Sequence, residues 1–230
     1  AAQKSENKET LLQSAKSGLV YLKSNPGILW LILFLSAINL IASIHSSALP
    51  ALILSKSNKT ALGIVNSFTG IATLLGSIIA TFLPKPKSRI KMICNCLLIA
   101  MSTENFLLAL GNSTLVWCIG TVLGWIFIPL MSANYDVIFR SNVPKEMQGR
   151  VYSVRNTLQF FTIPVGYFLG GLLVDDVFEP FMKNIKITPL IDIFGLGKGS
   201  GAALLFFIIG IAGVIVCLFF QNVKKLKELE

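Results

Sequence analysis

Apolar residues in this chain come in long unbroken runs, with no alternation between faces. Six runs stand out, over about residues 28–54, 61–83, 93–111, 114–139, 151–174 and 201–221. Each supplies the ~20 residues that a helix needs to cross ~30 Å of hydrocarbon. Backbone groups in lipid must be paired within the segment, and no run carries a period of two, so the pattern predicts helices. The polar residues inside the runs are spaced, too. Ser36, Asn39, Ser43, Ser46 and Ser47 fall on one face of the first run, and Asn66, Thr69, Thr73, Ser77 and Thr81 on one face of the second. Thr121, Trp125, Pro129 and Ser132 repeat at helical spacing in the fourth run, and Tyr152, Asn156 and Gln159 in the fifth. The sixth has almost nothing polar, and the third has only the cluster MSTENFLL, Met101 to Leu108, besides Asn95.

Two striped helices followed by an apolar one, twice over, predict an all-α membrane protein with six transmembrane helices in a 3+3 inverted repeat. The stripes predict a lined pathway of Ser36, Asn39, Ser43, Asn66, Thr73, Thr121, Trp125, Asn156 and Gln159. The plainer alternative is that Ser and Thr bond their own backbone or hold helices together. Pro50 and Pro129 fall in corresponding members of the two repeats, and Pro164 falls in the fifth run, where paired interruptions point to a transport pathway. Gly120 with Gly124 and Gly166 with Gly170 form small-xxx-small faces suited to close packing.

Composition turns apolar helices into membrane spans. The 230 residues are 53% hydrophobic and 13% charged, where a soluble domain carries about a quarter charged. The net charge of +9 is distributed by side, and it requires no nucleic-acid partner. Lys4, Lys8, Lys16, Lys23, Lys85, Lys87, Arg89, Lys91, Arg140, Lys145, Arg150, Arg155, Lys224, Lys225 and Lys227 fall on one side, 15 of the 20 basic residues. Lys56, Lys59, Lys183, Lys186 and Lys198 fall on the other. Positive-inside asymmetry makes the first side cytoplasmic, with both termini inside. The domains expected are a cytoplasmic linker over 1–26, the bundle over 27–221 and a cytoplasmic tail over 222–230. In the linker, Leu11, Leu12, Ala15, Leu19 and Leu22 share a helical face, which predicts an interfacial helix ending at Asn25–Pro26. Gly195, Gly197, Gly199 and Gly201 predict a flexible turn into the last span, because no strand precedes them to make a nucleotide loop.

Candidate chemistry is sparse. Cys94, Cys96, Cys118 and Cys217 lack metal or redox spacing and are expected to be inert thiols. There is no HExxH or GxSxG motif, so neither an enzyme nor a metal or other cofactor is expected. Glu104 lies about 11 residues into the third run, roughly 16 Å from its start and close to the bilayer midplane. No Lys or Arg shares that depth, so it is protonated, bonded to neighbouring hydroxyls and amides, or paired with a group outside the chain. The repeat places its helix at the periphery, which favours a neutral structural acid over proton coupling. His45, the only histidine, allows a titrating role, although a hydrogen-bonded structural one is commoner. Asp136 with Arg150 or with Arg155 is a candidate inner gate, set against a solvated interface cluster.

The run NYDVIFRSNVPKEMQGRVYSVRNTLQFFTIPVGYFLGGLLVDDVFEPFM resembles the fourth-to-fifth helix region in the C-terminal half of a major facilitator superfamily transporter. The likeness is carried by Pro144, Gln148, Gly149, Arg150, Pro164, Gly166, Gly171, Asp175, Phe178, Glu179, Pro180 and Met182, and it is greatest to the macrolide-efflux-like branch. SGLVYLKSNPGI resembles the central linker of such proteins. The resemblance implies helices seven to twelve of a twelve-helix, alternating-access transporter whose partner is the six-helix N-terminal half. It further implies proton-coupled efflux of drugs or other amphipathic small molecules across a bacterial plasma membrane. The loop PKPKSRIK departs from the family's gating motif, having neither its Asp nor a clear Gly. A truncated, non-transporting fragment or interaction module is the alternative.

Overall fold

The computed structural model describes the backbone from Leu11 to Glu230 and the side chains from Lys16 onward. Lys4, Lys8 and the apolar side chains expected at Leu11, Leu12 and Ala15 lie outside the described residues. Among those described there is no strand. Helix α1 covers Leu11–Ser24, α2 Pro26–Lys56, α3 Lys59–Phe82, α4 Arg89–Leu110, α5 Thr114–Trp125, α6 Ile128–Asn142 and α7 Lys145–Leu172. A π-helical turn over Leu173–Phe178 carries α7 into α8, Glu179–Asn184; α9 is Thr188–Phe194, α10 Ser200–Gln221 and α11 Lys224–Lys227. Six helical units are long and apolar enough to cross a membrane, with α5 and α6 together forming the fourth.

Local chemistry sets the boundaries. Asn58, Ser88 and Ser113 each accept from the backbone N–H three residues on, capping α3, α4 and α5. Pro26 opens α2 where a missing N–H costs nothing. Pro50 and Pro164 lie inside continuous helices, so of the three expected interruptions only the one near Pro129 breaks its span. α5 ends at Trp125 and α6 begins at Ile128, and Pro129 has no N–H to offer the Trp125 carbonyl four residues back. α3 leans on this break: a Cβ at Gly76 would strike the Ile126 carbonyl.

The outer segment from Leu173 to Phe194 is largely helical, and the turn expected into the last span follows it over 195–199. There Gly195, Gly197 and Gly199 have φ of 79°, 117° and 90°. Gly201 instead lies in α10, packed on the backbone of Phe178 and Glu179. Glu179 fastens the segment, because its Oε1 accepts from the backbone N–H groups of Gly199 and Ala202 at 2.9 and 3.1 Å.

α2 runs along α7, α3 packs on α5 and α6, and α4 packs on α10 and on α5–α6; α10 also packs on α2. Leu31, Phe34, Leu52, Leu97, Trp117 and Phe206 are buried between them. Much of α3 (Leu74, Ile78, Phe82) and α7 (Phe160, Phe161, Phe168) remains exposed. Both described terminal segments dock at the same end of the bundle. Tyr21 of α1 donates to the Asn142 carbonyl at 3.0 Å, and Asn142 donates to the Leu229 carbonyl at 3.1 Å. The four cysteines are buried and free.

Candidate functional site

The seam between α2 and α7 takes up several of the predicted pathway residues. A Cβ at Gly166 would strike Ser43, and one at Gly170 would strike Ser47, so two small residues from each helix let the backbones approach. Across this seam the Ser47 hydroxyl donates to the Tyr167 carbonyl at 2.9 Å, and the Asn39 amide to the Gln159 carbonyl at 3.4 Å. Ser36 bonds the carbonyls of Ile32 and Leu158, and Ser43 bonds that of Asn39. Gln159 donates to the Tyr135 hydroxyl at 2.7 Å, joining α7 to α6. Ser36, Asn39, Ser47 and Gln159 thus bond to neighbouring helices, and Ser43 to a carbonyl of its own helix. Thr73 bonds the Thr69 carbonyl of its own helix. Thr121 is buried, its hydroxyl without a hydrogen-bond partner among the described residues.

A cavity of about 250 Å³ opens between α2, α3, α4, α5 and α7. His45, Ser46, Asn66, Thr69, Glu104, Trp125 and Tyr167 line it, with Leu49, Pro50 and Leu62. Asn66, Trp125 and Glu104 are therefore the predicted residues that meet at one place. Glu104 is 5% exposed, yet it is neither peripheral nor without a partner in the chain. Its helix starts at Arg89, four residues before the apolar run, which puts Glu104 nearer the end of the bundle opposite the termini. It faces inward because His45 and Trp125 meet it there.

The cluster has a definite bonding order. The Trp125 indole Nε1–H donates to Glu104 Oε1 at 3.0 Å. His45 Nε2 lies 3.4 Å from the same oxygen. His45 Nδ1 is 3.0 Å from Asn105 Oδ1, and the Asn105 amide N–H is already committed to the Met101 carbonyl. Asn105 therefore presents an acceptor, and His45 must carry its proton on Nδ1. Phe206 of α10 closes the ring edge, with centroids 5.0 Å apart. Gly124, one residue before Trp125, has no room for a Cβ because Glu104 fills that space.

The other charged cluster lies at the terminal end. Of the two links open to Asp136, the structure has the one to Arg155, with Nη1 3.6 Å from Oδ1. The Arg155 guanidinium also stacks over Tyr135, Phe139 and Tyr152, 5.5, 4.9 and 4.5 Å from the ring centroids, and donates to Asn156 Oδ1. Arg150 lies 3.7 Å from Met147 Sδ. Sequence reasoning missed the aromatic cage and the cap made by Glu179. It also saw Asn105 only as a neighbour of Glu104, although a second amide beside a buried acid and an opposing histidine was the available signal.

Comparison with known proteins brings no match: no family model, no curated protein and no solved structure is significantly similar to the chain.

Proposed function

We propose that the chain is the C-terminal half of a major facilitator superfamily transporter of the macrolide-efflux-like branch. With six further helices it works by alternating access, exporting drugs or other amphipathic small molecules against a proton gradient in a bacterial plasma membrane. The observation that carries this reading is a polar cavity holding a carboxylate and a histidine between membrane-length helices. Such groups are expensive in hydrocarbon and mark substrate or ion pathways.

Two further observations support it. Counting the membrane helices in order, the first packs on the fifth and the second on the fourth; the third packs on the fourth and the first on the sixth; the third and sixth pack together. Exchanging the first three with the last three maps these principal pairs onto themselves, which is what a 3+3 repeat requires. The charge distribution is the second. Every described Arg lies at the terminal end, as do the described Lys apart from Lys56, Lys59, Lys183, Lys186 and Lys198, which favours a cytoplasmic face there.

The test takes the intact protein, translated with whatever precedes Ala1, in everted membrane vesicles loaded by an imposed pH gradient. Ethidium should accumulate, and a proton ionophore should abolish the accumulation. Six further spans should be read upstream. No gradient-driven movement of ethidium or of a macrolide, or an upstream stop codon, would leave the fragment reading in its place.

A further inference from the structure

The tautomer fixed by Asn105 has a consequence for Glu104. With Nδ1–H turned to the Asn105 oxygen, a neutral His45 offers a bare Nε2 lone pair toward Glu104 Oε1, 3.4 Å away. One added proton fits on that line in either of two forms, a carboxylic acid donating to the imidazole or an imidazolium donating to the carboxylate. Without it, the buried pair bears a whole negative charge. His45 is the titratable group facing Glu104. From the other elements packed around it, α5 and α10 carry no acid or base along their length apart from Cys118 and Cys217, α3 contributes neutral Asn66 and Thr69, and α7 contributes Tyr167. Asp136 of α6 is held by Arg155 at the terminal end, and Asp192 of α9 is exposed.

The same oxygen bonds a residue at a mechanical discontinuity. Trp125 is the last residue of α5, directly before the break at Ile126–Phe127 that Pro129 keeps open. Beyond the break, α6 carries Tyr135 and Asp136, which touch Gln159 and Arg155 of α7. A hydrogen bond to a carboxylate is roughly twice as strong as one to a neutral acid. Charge on Glu104 therefore tightens the indole and protonation loosens it.

We propose that the Glu104–His45 pair is the proton-carrying site and that Trp125 couples its occupancy to the α5–α6 break; this rests on the transport reading above. A proton from water in the cavity adds to the Nε2···Oε1 line and takes the pair from a charge of −1 to 0. Release to water on the other side reverses the step, and no other bond forms or breaks.

The experiment pairs spectroscopy with transport in the intact protein. Indole ¹⁵N signals are followed in lipid nanodiscs across a pH series. The Trp125 signal should move with pH, stop moving in Glu104→Gln and shift its midpoint in His45→Gln. The Trp117 signal, bonded to the Gly111 carbonyl, should stay still. In vesicles, Glu104→Gln and Trp125→Phe should each lower gradient-driven ethidium accumulation about tenfold, the scale of an ordinary coupling free energy. A stationary Trp125 signal in the unaltered protein, or full gradient-driven accumulation by Glu104→Gln, overturns the proposal. Should the unaltered protein move no ethidium while Trp125 still titrates, the transport reading falls and the proton site stands. Where Glu104→Gln does not fold, the unaltered protein and His45→Gln decide the matter.

Discussion

Removing the Glu179 carboxylate should loosen the start of the last membrane helix. Glu179 Oε1 accepts from the N–H groups of Gly199 and Ala202 at 2.9 and 3.1 Å, two donors at a helix start that otherwise lack partners within the helix. Gly199 itself sits at φ 90° and has no side chain to cap α10. Losing such a cap costs about 1 kcal/mol, and losing a negative charge at the positive helix end costs about 0.3–1 kcal/mol more. Glu179→Ala should therefore destabilise the segment by about 2 kcal/mol, and Glu179→Gln, which keeps an acceptor, by about half of that. Hydrogen exchange read on a peptide spanning 199–205 measures it directly: 2 kcal/mol accelerates exchange about 30-fold where opening is in fast equilibrium. Full protection in Glu179→Gln beside lost protection in Glu179→Ala would deny the charge its role. Unchanged protection in both would refute the capping argument altogether.

Three further outcomes are expected. Gly124→Ala puts a methyl where Glu104 lies and should cost about 1–3 kcal/mol in an unfolding titration, with loss of the Glu104-dependent Trp125 signal. Gly166→Val should cost about as much by wedging the α2–α7 seam, whereas Gly171→Ala, whose Cβ meets open space, should be neutral or stabilising by about 0.5–1 kcal/mol. Asp136 is half exposed, so Asp136→Asn should change stability by less than about 1 kcal/mol. Arg155→Ala, which strips a guanidinium from three rings, should cost about 2 kcal/mol or more in the same assay.

The spans were legible because apolar runs of this length have few other uses; α2 and α3 begin within two residues of the expected starts. The start of α7 was not, since Lys145 to Arg150 is a polar first turn that hydropathy counts as loop. The helices α8 and α9 were missed for a related reason. At 6 and 7 residues they are too short for a helical period to repeat. Within the site, the stripes singled out Asn66 and Trp125, but the same spacing marked Ser36, Asn39 and Ser43, which turn to the α2–α7 seam. Periodicity identifies a face and says nothing of what covers it. The Glu104–His45 pairing was hidden because the two residues are two spans apart, and no spacing rule links them.

That separation also orders biosynthesis. The chain is made from its N-terminus, so α2, with His45, is synthesised before α4, with Glu104. An ionised carboxylate entering alone would oppose insertion of α4 by at least ~2.5–3.5 kcal/mol. The histidine two spans upstream is a partner with which the carboxyl can share one proton, and the indole follows one span later to close the site. In a chain truncated after Leu110, Glu104 would have its base but not its Trp125 donor.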